Sequence, residues 1–365
     1  MTLSFPVTPA ANPRSSQERD EILANPGFGT NFTDHMVVAT WSADEGWHDG
    51  KVVEYGPITL MPSAAVLHYA QEIFEGLKAY RHEDGSVWSF RPEANAQRLN
   101  RSASRLALPQ MDEEDFVGSL RALVEVDKDW VPSASGGGEK SLYLRPFMYA
   151  SEAFLGVRPA REVTYSVIAS PAGAYFAGGL KPVTLWLSTQ YARAGRGGTG
   201  AAKCGGNYAS SLAPQLEGIE QGCDQVVFLD ASTQTYIEEL GGMNLFFVMK
   251  DGRIITPQLT GSILEGVTRA SILELSKELG LDPREEQIEI EQWKDGVRSG
   301  EIQEIFACGT AAVVTPVGEL KWDGGSAPST AGEGGGEVTK SIRERLLDIQ
   351  YGRAEDIHGW MTRLV

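Results

Sequence analysis

The stretch GTGAAKCGGNYAS, residues 198–210, sets a lone lysine, Lys203, among glycines and alanines, five residues before Tyr208. A lysine that merely solvates a surface usually keeps polar neighbours. Here the flanking residues have almost no side chain, and glycine lets a ligand or another stretch of chain come close to the backbone. The alternative is a flexible loop carrying an ordinary surface lysine. The rest of the chain must decide between the two.

With 365 residues, 42% of them hydrophobic, the chain is long enough for two globular domains, each with its own core. A formal net charge of −17 argues against nucleic acid as a partner, because neutralising phosphates needs a concentrated basic face. No apolar run reaches membrane-spanning length, so no membrane association is expected. The beginning, MTLSFPVTPAANPRSSQERD, lacks a basic stretch followed by an apolar one, and no secretory signal is read there. Three cysteines (Cys204, Cys223, Cys308) without a C-x-x-C pair fit a reducing cytoplasm better than a disulfide framework. The histidines show no metal-ligand spacing, and H-E-x-x-H, P-loop and G-x-S-x-G motifs are missing. No metal is expected.

Residues 1–30 read as an irregular segment rich in Pro, Asn and Ser. Strand patterns follow at 35–42, 86–90, 141–151 and 163–170, with helical patterns after Pro92 and across EDFVGSLRALVEVDKDW. Further strands are expected at 183–189, 225–230, 245–250, 304–310 and 312–317, and helices at 208–221, 267–279 and 338–350. Strands and helices mix without strict alternation, which is an α+β or mixed α/β class. The Gly- and Pro-rich PAGAYFAGGLKP (171–182) is the candidate linker. The expected division is a smaller N-terminal α/β domain over 1–174, an interdomain loop over 175–182, and a larger C-terminal domain over 183–365 that carries Lys203.

Anion-binding signals are scattered through both halves. In LEGVTRASILELSKELG, Gly266 precedes a helix whose first amides belong to Val267 and Thr268, and a helix N-terminus suits a phosphate. CGTA (308–311) ends a strand in a glycine and the hydroxyl of Thr310. Arg98 shares a helical face with Arg101 and Arg105, a stripe that is usually solvated. Each signal is weak alone. Together with a lysine in a glycine nest, they begin to describe a phosphate-bearing cofactor held by a lysine. Pyridoxal phosphate would also need an acid for its ring nitrogen, and YIEELGGMNLFF offers Glu238 and Glu239 before an apolar strand. Tyr208 is available as a donor to the phenolic oxygen.

The chain resembles the branched-chain amino acid aminotransferases of the pyridoxal phosphate fold-type IV class. The resemblance runs from FGTNFTDHM (28–36) to DIQYGRAEDIHGWM (348–361), through LHYAQEIFEGLKAY, FRPEANAQRLNRSASRLALP, LYLRPF, GAYFAGG, KCGGNYA, EELGGMN, LEGVTR and GTAA in order. It implies a two-domain fold with pyridoxal 5'-phosphate at the domain interface, and Lys203 as the Schiff-base lysine. Tyr208 would meet the phenolic oxygen and Glu239 the ring nitrogen. Arg98, Val267, Thr268 and Thr310 would bind the phosphate, the middle two through backbone amides. Phe28, Tyr69, Phe74 and Tyr175 would line the side-chain pocket, Tyr143 and Arg145 would receive a distal carboxylate, and the Ala311 amide would take the substrate α-carboxylate. A homodimer with shared active sites is implied, Tyr69 reaching in from the neighbour.

The implied reaction is transamination between branched-chain L-amino acids and 2-oxoglutarate. A D-amino acid aminotransferase or a lyase of the same fold type is the nearest rival, disfavoured by LYLRPF and LHYAQEIFEGLKAY. A binding protein on the same scaffold is disfavoured by the intact Lys203, Tyr208 and Glu239. Two departures stand out. Where some relatives carry C-x-x-C after the GTA turn, this chain has Ala312 and Thr315, which puts redox regulation in doubt. Gly242 replaces the threonine of some relatives, so a hydroxyl contact from that position is lost.

Overall fold

A computed structural model describes residues 2–133, 139–173, 181–332 and 334–365. Its chain contacts divide into two units, the first comprising Met1–Ala177, Ala202–Gly205 and Asp348–Val365, the second Gly178–Ala201 and Gly206–Leu347. The boundary expected over 175–182 lies largely outside the described residues. At two other places the grouping differs from a contiguous division. The Lys203 segment groups with the first unit because its backbone bonds there, and the C-terminal tail does so because its last strand joins the first sheet.

The first unit runs α1 (Ser16–Ala24), β1 (His35–Ser42), β2 (Gly46–Glu54), α2 (Ala65–Tyr69), β3 (Glu72–Phe74), β4 (Leu77–Arg81) and β5 (Val87–Phe90). It continues through α3 (Pro92–Arg105), α4 (Glu113–Val126), β6 (Ser141–Ala150) and β7 (Glu162–Ala172). The second unit holds β8 (Val183–Leu187), α5 (Gly205–Ala209, whose first residue belongs to the first unit), α6 (Leu212–Glu220), β9 (Gln225–Leu229), β10 (Ile237–Leu240), β11 (Asn244–Met249) and β12 (Arg253–Pro257). After these come α7 (Val267–Glu278), β13 (Asp282–Glu286), α8 (Ile290–Ser299), β14 (Ile302–Gly309), β15 (Val313–Trp322), β16 (Gly325–Pro328) and α9 (Glu337–Gln350, whose residues from Asp348 on belong to the first unit). The last strand, β17 (Met361–Arg363), pairs with β5 in the first unit.

The first sheet has the order β17-β5-β4-β6-β7-β1-β2, with β3 also paired to β6. Successive strand residues face opposite sides, and β6 uses this alternation directly. Leu142, Leu144 and Met148 are fully buried on the core side, while Tyr143, Arg145 and Phe147 point to the other. Partner strands β3 and β4 meet β6 at Phe147–Tyr149 and Leu142–Leu144, so their ladder breaks opposite Arg145 and Pro146. Proline has no N–H to donate, and a break in the ladder is where it is tolerated. That break carries Glu75 and Gly76.

α3 starts at Pro92, whose fixed φ suits the first helical turn. It buries Asn95, Arg98, Leu99, Ser102 and Ala103, a stripe at helical spacing that includes three polar side chains. Arg101 and Arg105 are exposed, so the arginine stripe expected on one face is divided, with only Arg98 turned inward.

The second sheet has the order β10-β9-β8-β15-β14-β11-β12-β13, with β16 paired to β15. It is mixed, because β8 runs parallel to both β9 and β15 while β11, β14 and β15 form antiparallel pairs. The β14–β15 hairpin turns through Thr310–Ala312, closed by the pairing of Gly309 with Val313. On β14 a buried acid, Glu304, caps α9: its carboxylate accepts from the N–H groups of Val338 (3.1 Å) and Thr339 (2.8 Å) and from the Thr339 hydroxyl (2.7 Å). A carboxylate there meets orphan donors and the positive end of the helix dipole. Glu304→Ala is expected to cost about 2 kcal/mol, in line with a charged helix cap. Thermal unfolding should show a lowered midpoint, and an unchanged midpoint would remove the cap from this account.

Candidate active site

Two of the glycines around Lys203 are crowded by other parts of the protein. A Cβ on Gly200 would lie 2.1 Å from the Ser262 carbonyl oxygen, and one on Gly205 would lie 2.3 Å from Glu72 Oε1. Between them the lysine backbone is fixed within the first unit. The Lys203 N–H donates to Ser102 Oγ on α3 (2.9 Å), and its carbonyl accepts from the Phe74 N–H (2.9 Å). The Gly205 N–H donates to the Glu72 carboxylate. Lys203 Nζ then lies 4.9 Å from the centre of the Phe74 ring.

Arg145 shares that ring, its guanidinium carbon 4.7 Å from the centre, and it donates to the Tyr143 hydroxyl at 3.0 Å. Phe28 closes on Tyr143 edge-on at 5.1 Å. A cavity of about 170 Å³ opens among Phe28, Phe32, Tyr143, Arg145, Ile168 and Ser170. Gly76 makes room for the Tyr143 side chain, since a Cβ there would fall 2.0 Å from the Tyr143 hydroxyl. Among the described residues Arg145 forms no ion pair, and its buried Nε has no hydrogen-bond partner.

Arg98 is bound to Glu75, with Nε to Oε1 at 2.8 Å and Nη2 to Oε2 at 2.7 Å. Asn95 adds a donor to the same carboxylate at 2.7 Å. Burial alone would raise the Glu75 carboxyl. The Arg98 charge and hydrogen bonds, with Lys203 and Asn95, instead hold it below the usual carboxylate range. Sequence reasoning missed Glu75, and with it the fact that Arg98 already has an acid.

In the second unit, Glu238 and Glu239 are both buried on β10, at the point where its register with β9 shifts, and their carboxylates go to different partners. Glu239 Oε1 takes Arg193 Nη1 at 2.8 Å and the Leu264 N–H at 2.8 Å, and Oε2 takes Asn244 Nδ2 at 3.3 Å. Asn244 is itself held by the Leu264 carbonyl (3.0 Å). Arg193 was not singled out from the sequence. Its signal would have been an arginine, one of two with Arg196, in the same glycine-rich stretch as Lys203. Glu238 accepts from Ser262 and borders a separate cavity of about 390 Å³ with Asp230, Tyr236 and Thr260. Burial raises its carboxyl, which the Ser262 bond only partly offsets. Among the described residues, none that the resemblance assigns to the site lines that cavity.

α7 begins after Gly266, and among the described residues no side chain caps its first N–H groups, those of Val267 and Thr268, the kind of helix end that suits an anion. A Cβ at Gly266 would lie 2.1 Å from Asn244 Oδ1, which packs this turn against the residue that holds Glu239. The ring of Tyr208 on α5 lies beside Gly242, where a Cβ would meet its Cε1 at 3.6 Å. Thr310 and Ala311 sit at the β14–β15 turn, beside Gly309, which packs on Met243. Tyr69 is partly exposed, with its hydroxyl donated to the Leu155 carbonyl. Tyr175 lies outside the described residues. The three cysteines are buried and unpaired, and burial pushes the Cys308 thiol up to about 12, far from a reactive thiolate.

A buried carboxylate held by three donors, an uncapped helix N-terminus and a fixed lysine beside an aromatic ring are the groups that a phosphorylated pyridine aldehyde calls for. The chain belongs to the class IV amino-transferase family, whose pattern matches residues 72–320. It is 56% identical to a branched-chain-amino-acid aminotransferase of Mycolicibacterium smegmatis over 99% of this chain and 98% of that one. Its identity to the Mycobacterium tuberculosis branched-chain-amino-acid aminotransferase is 55%, across 100% and 99% of the two chains. The crystal structure of an Escherichia coli branched-chain amino acid aminotransferase superposes with a TM-score of 0.73 at 30% identity, covering 90% of this chain and 99% of that one. A branched-chain amino acid aminotransferase of T.th., complexed with N-(5'-phosphopyridoxyl)-L-glutamate, gives 0.73 at 28% identity, with 90% and 98% covered.

Proposed function

We propose that this protein is a pyridoxal 5'-phosphate-dependent aminotransferase that moves the amino group of leucine, isoleucine and valine to 2-oxoglutarate, giving branched 2-oxo acids and L-glutamate. The observation that carries the substrate reading is Arg145, a cation set among Phe74, Tyr143 and Phe28 without an acid paired to it among the described residues. Aromatic walls accept an aliphatic side chain through burial alone. A glutamate side chain would lose its hydration there, and a guanidinium with a neighbouring hydroxyl can replace it.

Pyridoxal phosphate, when bound, supplies an electron sink for the charge left on the substrate carbon as its proton departs. In this reading Lys203 holds the cofactor and supplies the amine that removes and returns that proton. Glu239 keeps a proton on the ring nitrogen, a role its fixed, buried carboxylate supports. Tyr208 meets the phenolic oxygen. Arg98, Thr310 and the amides of Val267 and Thr268 bind the phosphate, Arg98 acting together with Glu75. The Ala311 amide orients the substrate α-carboxylate, and Phe28, Phe74, Tyr143, Arg145 and Tyr175 surround its side chain.

The reading extends to a cytoplasmic homodimer in which Tyr69 lines the neighbour's pocket. In support, Met61, Leu67, Tyr69, Leu155 and Val157 form exposed apolar surface, Val157 at 88% exposure. The unpaired cysteines favour a reducing compartment. Among the described residues no helix is long and apolar enough to cross a membrane.

Incubation with L-leucine and 2-oxoglutarate should yield L-glutamate, while D-leucine should not serve. Lys203→Ala should abolish this turnover, and a variant that still turns over would overturn the role of Lys203. Arg145→Met should lower kcat/KM for glutamate and 2-oxoglutarate about a hundredfold, the equivalent of about 2–3 kcal/mol for a charge-assisted pair. The leucine half-reaction, followed in single turnover, should change far less. An equal loss with both substrates would make Arg145 a structural residue.

A further inference from the structure

We infer that Glu72 is a positioning and specificity-determining residue: it fixes the lysine-bearing turn and sets how strongly Arg145 attracts a substrate's distal carboxylate. The inference rests on the transamination reading above, since it concerns how one pocket serves both substrates. β3 has only three residues, and the side chains of Glu72 and Phe74 emerge on the same face of it. The register with β6 places Glu72 opposite Tyr149 and Phe74 opposite Phe147, so Arg145 comes next on that face. The Phe74 ring accordingly lies under both the Arg145 guanidinium (4.7 Å) and Lys203 Nζ (4.9 Å).

The same strand grips the turn at both ends. The Phe74 N–H binds the Lys203 carbonyl at 2.9 Å, and the Glu72 carboxylate binds the Gly205 N–H. Position 205 has to be glycine for this approach, because a Cβ would fall 2.3 Å from Glu72 Oε1. Glu72 is also an acid whose charge interacts with Arg145, though the two form no direct ion pair. Burial raises the Glu72 carboxyl, with Gly205 and Arg145 pulling the other way.

A negative charge on the same sheet face, acting on Arg145 through space, weakens its hold on a dicarboxylate and lowers the cost of leaving that cation facing a leucine side chain. Glu72 thus balances the two substrates. Removing only its charge should tip the pocket toward the dicarboxylate. Removing its hydrogen bond as well should loosen the lysine turn for both.

Glu72→Gln keeps an acceptor for the Gly205 N–H, whereas Glu72→Leu keeps neither acceptor nor charge. The cofactor-loaded proteins would be titrated calorimetrically with glutarate and with 4-methylpentanoate, non-reacting stand-ins for the two side chains. In Glu72→Gln the glutarate to 4-methylpentanoate affinity ratio should rise about fivefold over the unsubstituted protein. Glu72→Leu should lower kcat with L-leucine about tenfold or more, and Glu72→Gln should recover most of that loss. A ratio in Glu72→Gln that is unchanged or lower overturns the charge role, and equal kcat losses in both variants overturn the positioning role. If the unsubstituted protein fails to transaminate L-leucine, the functional reading itself falls, whatever the variants bind.

Discussion

A three-residue strand holding a three-residue turn is the contact on which the first unit's chemistry depends. Glu72–Phe74 binds the Lys203 carbonyl through a backbone N–H and the Gly205 N–H through a carboxylate, while Ser102 on α3 takes the Lys203 N–H. With the backbone tied on three sides, the point from which the Lys203 side chain departs is fixed. A reacting amine needs that kind of restraint, since misplacement by an ångström is costly in rate. The ladder beside the strand breaks at Pro146, where the Glu75 N–H still donates to the Pro146 carbonyl (2.7 Å) while the Glu75 carboxylate meets Arg98 and Gly76 leaves room for Tyr143. A proline that looks out of place within a strand thus opens the gap in which the pocket is built.

The second unit solves a different problem, which is to hold a carboxylate away from water. Glu239 is 2% exposed, and such a charge is tolerated only when paired and fully hydrogen-bonded. Arg193, Leu264 and Asn244 supply the donors. A buried ion pair of this kind is weak support for stability, because desolvation offsets most of the attraction. Its value lies in position. Asn244 links the carboxylate to the Leu264 carbonyl and packs against Gly266, the residue before α7, so one side chain aligns an acid and a helix N-terminus.

Much of the fold was legible because apolar periodicity carried it. β1 agrees with its expected range of 35–42, and α7 and α9 end within one residue of theirs. The helix expected at 208–221 divides into α5 and α6, and α1 was read as irregular although Ser15 and Glu18 form a capping box. β13, DPREE, escaped because it is a charged edge strand that survives by parallel pairing with β12. At the site, Lys203, Tyr208, Glu239, Arg145 and Tyr143 were visible as motifs. Glu72, Glu75, Ser102 and Arg193 were not, since their partners lie far away in the chain: Lys203 and Ser102 are 101 residues apart, Gly205 and Glu72 133. A polar stripe on a helix reads as a solvated face until something buried is known to oppose it. The glycines gave the opposite lesson, signalling close approach correctly while the approaching groups were the protein's own carbonyl and carboxylate.

The central claim is that one lysine, placed by the Glu72–Phe74 strand, carries the chemistry. Loading the protein with pyridoxal phosphate, reducing it with borohydride and mapping the peptides would test this most directly. The account predicts the pyridoxyl mass on the peptide that contains Lys203. Finding it instead on Lys78, buried in β4, or on Lys181, ahead of β8, would contradict it.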